Sequence, residues 1–268
     1  MAYFLYSKKS IQIYICTSVI TFLLGVPILV IGSLLKQEVG TECEFYLNAP
    51  IITLGALILF FSAAGILCAV RLKGLQLCCH GYIMFLLLTT LLGYSIFALV
   101  VSAKGGGEPL ARRGYKEYRL EDYSSWLKKR VDNTKHWNQL KTCIYKSQVC
   151  SKFSDKFGDN TQHQFYSNKL SSIESGCCKP SNDCEFKYKS PTEWTKPKED
   201  NYTNEDCNKW GNDKDVLCFN CQSCKAGLAD AVKTNWKKAG IICIIFVILH
   251  MFFSFCGCLV LENPQLTV

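Results

Sequence analysis

Cysteine is the residue whose abundance and spacing suggest chemistry in this sequence. The chain has 17 cysteines in 268 residues, and nine of them lie between residues 102 and 238. Those nine are Cys143, Cys150, Cys177, Cys178, Cys184, Cys207, Cys218, Cys221 and Cys224, and a tenth, Cys43, lies in a short segment upstream. Cysteines at this density in a domain outside the cytosol form a disulfide framework. We therefore expect all ten to be cross-linked, provided that both segments face an oxidising compartment.

Geometry restricts how two of these cysteines can pair. Cys177 and Cys178 are adjacent, and a disulfide between neighbours is strained, because its usual Cα separation is about 4.4–6.8 Å and its dihedral angle is fixed. Each should therefore reach a separate, distant partner, and Cys43 should pair with the odd cysteine of the nine. Ten cysteines allow about 945 complete pairings, so spacing alone does not give the map.

A metal or redox site is the alternative use of these thiols. Cys218, Cys221 and Cys224 have the two-residue gaps that suit zinc ligation. Thiols outside the cytosol oxidise, however, and no histidine pair lies nearby to complete a mixed site. No strand–helix pattern surrounds Cys218 and Cys221, as a thioredoxin-like centre would require. The sequence therefore predicts disulfides, with no metal and no cofactor.

Four uncharged stretches have the length of a membrane-spanning helix, which is about 20 apolar residues. They are residues 11–35, 50–70, 75–101 and 239–261. Lipid cannot hydrogen-bond an exposed backbone, so such segments must be helical or form a closed barrel. We therefore expect a mainly α protein, with a four-helix transmembrane bundle and a large disulfide-stapled extracellular loop domain.

Basic residues in the short segments predict the orientation of these spans. Lys8 and Lys9 precede the first span, and Arg71 and Lys73 lie between the second and third, whereas the first loop has only Lys36. Since short cytosolic segments are rich in Lys and Arg, both termini should be cytosolic. The predicted cytosolic segments are then 1–10, 71–74 and 262–268, and the extracellular loops are 36–49 and 102–238.

Four cysteines lie at the predicted cytosolic ends of spans: Cys78, Cys79, Cys256 and Cys258. Juxtamembrane cysteines on this side are candidates for reversible palmitoylation. Plain packing is the alternative role.

The large loop has two kinds of sequence. Aromatic and aliphatic residues recur every three or four residues from Tyr115 to Asn133 and again from Leu228 to Trp236. This spacing predicts two amphipathic helices. These would extend the third and fourth spans as an antiparallel stalk. Between Gly158 and Cys224, prolines and polar residues replace this period, so we expect an irregular cap. Asn201 begins the Asn-Tyr-Thr sequence of an N-glycosylation site in this cap.

Three short segments of the loop resemble a known family. Gly176-Cys177-Cys178-Lys179-Pro180 is similar to the glycine-cysteine-cysteine-lysine/arginine-proline signature of plant tetraspanins. The segments Gly114–Leu120 and Cys218–Gly227 also resemble that family. So does the order of parts, with a short tail, a small loop with one cysteine, a tiny cytosolic loop, a large loop and a short tail. The resemblance covers essentially the whole chain.

The resemblance implies a membrane organiser. Tetraspanins associate laterally with one another and with other membrane proteins in the same membrane, among its lipids, at the plasma membrane and on vesicles. In plants they are linked with development and cell-to-cell communication. The resemblance also implies a disulfide between Cys177 and Cys224. A cell-surface receptor or adhesion protein, binding an extracellular ligand through its large loop, is the alternative function.

Other classes of function lack their usual signals. A channel or transporter would place ionisable residues inside the membrane, and the predicted spans contain only His80 and His250. In the loop, His136 and His163 stand without a nucleophile or a recognisable motif beside them. The sequence therefore predicts no enzyme, and it predicts no nucleic acid among the partners.

Overall fold

The computed structural model describes residues 8–35, 45–71, 74–197 and 202–262, which are mainly helical. The helices are α1 (Lys8–Leu35), α2 (Phe45–Arg71), α3 (Gly74–Val101), α4 (Ser125–Asp132), α5 (Thr134–Lys146), α6 (Val149–Phe157), α7 (Gln162–Ser167), α8 (Ser172–Cys177), α9 (Glu205–Lys209) and α10 (Gln222–Glu262). The strands are β1 (Glu108–Pro109), β2 (Lys116–Glu117), β3 (Lys187–Ser190) and β4 (Glu193–Thr195). The described chain divides into a helical unit, residues up to 99 and from 237, and a loop unit, residues 100–236.

The helical unit consists of apolar helices. Within the described residues, two helical stretches are long and apolar enough to cross a membrane, Tyr82–Val101 of α3 and Gln222–Phe253 of α10. The apolar stretches found in α1 and α2 are shorter, Ile15–Pro27 and Ile52–Leu67. This unit therefore has the composition of membrane helices.

Small and hydroxyl side chains let the helices of this unit pack closely. A Cβ atom on Gly25 of α1 would lie 2.8 Å from the side-chain carbon Cδ2 of Leu59 on α2, so a larger residue here would require the Leu59 side chain to shift. Ser62 donates to the carbonyl oxygen of Ile58 and Ser95 to that of Leu91, each over 2.7 Å. These two hydroxyls therefore form their hydrogen bonds within their own helices.

The predicted helix from Tyr115 to Asn133 is wrong over its first ten residues. Helix α3 ends at Val101, and β2 pairs with β1 in a short antiparallel ladder in which Lys116 faces Pro109. Tyr115 is 2% exposed and lies 6.0 Å, between ring centroids, from Phe165. The spacing of aromatic residues that suggested a helix thus belongs to an extended segment whose rings insert into the loop core.

Helix α4 begins only at Ser125, and it lies beside α10. The rings of Trp126 and Trp236 are 5.2 Å apart, and Asp132 pairs with Lys225 over 2.7 Å. The second predicted stalk helix is correct, because α10 runs without interruption from Gln222 through Trp236 and onward. The first helix of the stalk is therefore α4, and not an extension of α3; the second is α10.

The cap between Gly158 and Cys224 consists of short elements with explicit terminal hydrogen bonds. Ser171 begins α8 with a capping box, in which its hydroxyl accepts from the backbone of Glu174 and the Glu174 carboxylate accepts from the backbone of Ser171. Thr161 and Gln164 do the same for α7. Such caps satisfy backbone groups that a helix of six residues would otherwise leave exposed.

An aromatic cluster forms the core of the cap. Phe165 is fully buried, and its ring lies 5.2 Å from Tyr188, 5.9 Å from Phe153 and 6.1 Å from Trp194. Most of these pairs are edge-to-face, the arrangement that aromatic quadrupoles favour. A segment with little aliphatic content therefore still has a packed core.

Two glycines allow α8 to lie directly against the first turns of α10. A Cβ atom on Gly176 would overlap the carbonyl oxygen of Ser223, and one on Gly227 would overlap that of Ser172. In both cases the obstructing atom is backbone, which cannot rotate away. The two helices can therefore meet at this distance only with glycine at both positions.

We expect Gly227→Ala to destabilise the loop unit by about 1–3 kcal/mol, the usual range for an overpacked core. The thermal-unfolding midpoint of the detergent-solubilised chain measures this change. Gly106→Ala is the matched control, since the nearest atom to its Cβ would be Lys233 Nζ at 3.9 Å. Equal midpoints for the two variants would show that the helices do not meet as described.

Candidate functional site

Two adjacent disulfides anchor the C-terminal end of α8. Cys177 bonds to Cys224 of α10, with the Cα atoms 4.3 Å apart. Cys178 bonds to Cys150 of α6, with a Cα separation of 5.1 Å. All four sulfurs belong to buried residues. The neighbours therefore do not bond to each other, and Cys177–Cys224 is the pair that the family resemblance implied.

Two further disulfides close the segments on either side. Cys184 bonds to Cys207 within the cap, and Cys218 bonds to Cys221 just before α10. Since Cys218, Cys221 and Cys224 are all in disulfides, none is available as a zinc thiolate. Within the described residues, no group of three His, Cys, Asp or Glu side chains could hold a metal ion.

The ninth loop cysteine, Cys143, is also disulfide-bonded. Cys43, the predicted partner of the odd cysteine, lies outside the described residues. Its pairing therefore stays a prediction, with Cys143 now the cysteine that it would join.

Lys179 follows the two cysteines and is buried. Its side chain is 1% exposed, and its ammonium group lies 3.2 Å from Glu117 Oε1 and 3.1 Å from the carbonyl oxygen of Pro180. The ammonium also lies 4.8 Å from the centre of the Tyr115 ring. A carboxylate, a carbonyl and an aromatic face thus replace the water that this cation has lost.

Burial changes the acid–base properties of this group. It lowers the pKa of Lys179, since the charged form loses hydration, while the Glu117 carboxylate raises that pKa and partly offsets the effect. Burial likewise raises the pKa of Tyr115, which therefore keeps its proton. The arrangement pairs the buried ammonium of Lys179 with the largely buried carboxylate of Glu117.

The three segments that resemble the tetraspanin family converge at this point. Ser175 donates to the carbonyl oxygen of Lys116 over 2.6 Å, and the amide of Cys218 donates to the carbonyl oxygen of Cys177 over 3.1 Å. Ser223 donates to the carbonyl oxygen of Gly176 over 3.0 Å. We call the assembly of Tyr115–Glu117, Gly176–Pro180 and Cys218–Gly227 the motif junction. These segments are far apart along the chain, and in the folded loop unit they lie in contact.

The sequence analysis missed Glu117 and Asp206. Asp206 is 4% exposed and accepts from the backbone amides of Gln222 and Ser223, over 2.7 and 2.8 Å. It thus caps the start of α10, where free amides and the helix dipole stabilise a negative charge. A cap normally stands just before its helix, whereas Asp206 is 16 residues upstream of Gln222, so no local pattern reveals it.

The remaining predicted residues lie elsewhere. The backbones of Cys78 and Cys79 are in α3 and those of Cys256 and Cys258 are in α10, but their side chains are outside what the structure describes. Asn201 is also outside the described residues. His136 lies in α5 and His163 in α7, and neither belongs to the motif junction.

Comparison with known proteins identifies the class. The model of the family described as "Tetraspanin family" matches residues 11–260. Similar curated proteins from Arabidopsis thaliana include Tetraspanin-8, 44% identical over 92% of this chain and 90% of the relative, and Tetraspanin-7, 42% identical over 91% and 93%. Protein TORNADO 2 from the same plant is 34% identical over 93% of this chain and 92% of its own length. No solved structure matches the chain.

The chain belongs to the tetraspanin family. The members of this family are membrane scaffold proteins without enzymatic activity. The family implies association with other membrane proteins and other tetraspanins.

We expect Lys179→Met to destabilise the loop unit by about 3 kcal/mol, because it leaves the Glu117 carboxylate half of a broken buried pair. The double variant Lys179→Met/Glu117→Gln should be less destabilised than the sum of its parts. Lys189→Met is the control, since its pair with Glu193 is 72% and 48% exposed and contributes less than about 1 kcal/mol. Thermal-unfolding midpoints of the full chain with Lys179→Met, Glu117→Gln, both changes together and Lys189→Met measure these effects, and strict additivity of the two single changes would contradict the coupling.

Proposed function

We propose that this chain is a four-pass scaffold of the plasma membrane that associates laterally with itself and with partner membrane proteins. The observation that carries the proposal is the surface of the helical unit. Large apolar side chains on this unit are more than half exposed: Leu23, Phe60, Leu67, Phe85, Ile248 and Met251. Exposed apolar area on this scale marks contact with lipid or with other proteins.

The sequence and the bounds of the helices support four passes. Helices α1, α2 and α3 contain the first three uncharged stretches, and α10 contains the fourth. Close contacts at small residues, such as Gly25 against Leu59, are the kind that drives helix association in lipid, where apolar burial gives no advantage. The same kind of contact can join helices of neighbouring molecules.

The loop unit gives the scaffold a rigid outer surface. Four disulfides and the Lys179–Glu117 pair hold the short elements of the cap, so its surface loops keep one arrangement. Recognition residues commonly lie on loops that a rigid framework positions. The resemblance to plant tetraspanins supports a role in plant development or cell-to-cell communication, at the plasma membrane and on vesicles.

Acylation of the cytosolic cysteines would strengthen lateral clustering. Cys78, Cys79, Cys256 and Cys258 are the proposed sites, because sequence places them at the cytosolic ends of spans. Each buried methylene of an acyl chain adds about 0.8 kcal/mol to membrane affinity. We also propose that Asn201 is glycosylated, because the proposed orientation places its loop outside the cytosol.

The orientation predicts that antibodies reach epitope tags on both termini only after the cells are permeabilised, since the basic residues of the short segments retain those ends in the cytosol. A tag inserted after Asp159, which is exposed between α6 and α7, should be reached on intact cells. A terminal tag that is accessible on intact cells would contradict the four-pass arrangement.

Chemical crosslinking in intact membranes tests the scaffold function itself. We expect several membrane proteins, including further copies of the chain, to be crosslinked to it. Replacing the four cytosolic cysteines by serine should reduce this set, and replacing Cys16, an unpaired cysteine within α1, should not. A single soluble extracellular ligand, with no lateral partner, would instead identify a receptor.

A further inference from the structure

The disulfide between Cys218 and Cys221 differs from the other described disulfides in the length of the loop that it closes. Its cysteines are three positions apart, whereas those of the others are 23, 28 and 47 positions apart. A cross-link over so few residues removes little conformational freedom from the unfolded chain, so its loss destabilises the fold least. The loop unit should therefore remain folded when this bond alone is opened.

Both sulfur atoms of this disulfide lie beside groups that can only accept a hydrogen bond from them. Cys221 Sγ is 3.6 Å from the backbone carbonyl oxygen of Asp206. Cys218 Sγ is 3.7 Å from Ser223 Oγ, and the single proton of that hydroxyl is donated to the carbonyl oxygen of Gly176 over 3.0 Å. Each sulfur thus faces an oxygen with lone pairs and no proton to give.

Only the reduced form of the cysteines can use these acceptors. A disulfide sulfur carries no proton, whereas a thiol S–H is a weak donor. The Asp206 carbonyl already accepts from the amide of Trp210 over 3.0 Å, and its second lone pair is sufficient for one thiol. The surroundings therefore favour the dithiol, and a disulfide whose reduced form is stabilised is easier to reduce.

The bond anchors an exposed turn that contacts helix α5. Residues 212–216 are exposed, and the Tyr145 hydroxyl of α5 donates to Asp215 in this turn over 2.7 Å. Phe219, inside the disulfide loop, lies 6.2 Å from the Tyr145 ring, between centroids. The Cys218–Cys221 bond thus restrains the two segments that hold the turn against α5.

The turn must open locally before a reductant can reach the bond, because both cysteines are buried. Few backbone bonds oppose that opening. The amide of Gly211 donates to the carbonyl oxygen of Leu217 over 3.1 Å, and the amides of Val216 and Leu217 donate to that of Asp213, each over 2.9 Å. Such a small exposed unit opens far more often than the whole domain unfolds.

We propose that Cys218–Cys221 is a redox-sensitive switch, which glutathione opens to release the turn at 212–216 from α5 while the loop unit stays folded. One glutathione thiolate bonds to one cysteine sulfur as the S–S bond breaks, and the other cysteine leaves as a thiolate that takes up a proton. A second glutathione thiolate then displaces the first cysteine from the mixed disulfide. The products are two cysteine thiols and one glutathione disulfide, so the two glutathione molecules supply both electrons.

This inference adds regulation to the proposed scaffold, and it rests on that function only for the use made of the released surface. Its test follows the bond and the turn in the purified full chain, without lateral crosslinking. Failure of the switch therefore leaves the scaffold proposal standing, and the reverse also holds.

The full chain in detergent micelles is equilibrated with mixtures of reduced and oxidised glutathione, and alkylation with mass spectrometry identifies the free thiols. We expect Cys218 and Cys221 to be reduced together and to reoxidise with glutathione disulfide, while the other described disulfides remain closed. Hydrogen exchange in residues 211–220 should become about tenfold faster in the reduced chain, as expected for easier local opening. Exchange in α8 should not change.

Variants test the stabilised dithiol. Ser223→Ala removes the acceptor beside Cys218, so half-reduction should need an about threefold higher value of [GSH]²/[GSSG], the effect of one hydrogen bond. Ser175→Ala is the matched control, since it also removes a hydroxyl that donates to a backbone carbonyl, that of Lys116, but removes neither sulfur's acceptor. It should leave that value unchanged.

A double variant tests whether the fold survives loss of the bond. Cys218→Ser/Cys221→Ser should lower the thermal-unfolding midpoint about half as much as Cys184→Ser/Cys207→Ser, because the loop that it opens is shorter.

Reduction of Cys218–Cys221 only together with the other disulfides, or only when the chain unfolds, would overturn the proposal and leave a purely structural cross-link. Unchanged hydrogen exchange of the turn after reduction would also overturn it. Equal shifts in Ser223→Ala and Ser175→Ala would remove the stabilised dithiol on which the switch depends.

Discussion

Everything in the loop unit depends on two adjacent cysteines that cannot readily bond to each other. Because a vicinal disulfide is strained, the bonds of Cys177 and Cys178 run to different helices, α10 and α6. Helix α8 is therefore fixed between these two helices, and this position requires glycine at 176 and 227, where a Cβ would meet backbone oxygens. The crossing therefore joins the start of α10 to α6, whose Phe153 packs against Phe165 in the aromatic core.

The polar contacts of the motif junction hold segments of the loop unit together, as the disulfides do. Disulfides that close loops of 28, 47 and 23 residues restrict the unfolded chain, each typically by about 2–4 kcal/mol, and the three-residue Cys218–Cys221 link restricts it far less. Buried Lys179 adds specificity of a different kind, since only an arrangement that brings Glu117 beside it leaves neither charge unpaired. The disulfides and the Lys179–Glu117 pair together hold the elements of the loop unit in one arrangement.

Features that depend on local composition could be predicted from the sequence. The apolar stretches, the cysteine-rich loop and the helix through Leu228 and Trp236 all follow from hydropathy, residue type or period. Long-range features could not be predicted: Glu117 is 62 residues from Lys179, and nothing near Asp206 shows that it caps α10. The prediction of a helix at Tyr115 was wrong because the spacing of aromatic residues there suits a helix, whereas the segment is extended and its rings pack into the core of the cap. Helices α5 and α6 were not predicted, although Trp137, Leu140 and Ile144 of α5 and Cys150, Phe153 and Phe157 of α6 recur at helical spacing.

Peptide mapping of the full chain under non-reducing conditions tests the central claim most directly. The account predicts peptides that join Cys150 to Cys178, Cys177 to Cys224, Cys184 to Cys207 and Cys218 to Cys221, each released by reduction. A bond between Cys177 and Cys178 would contradict it, because α8 would then be tied to neither α6 nor α10, and so would exchange of their partners, because Cys177 would then join α6 in place of α10.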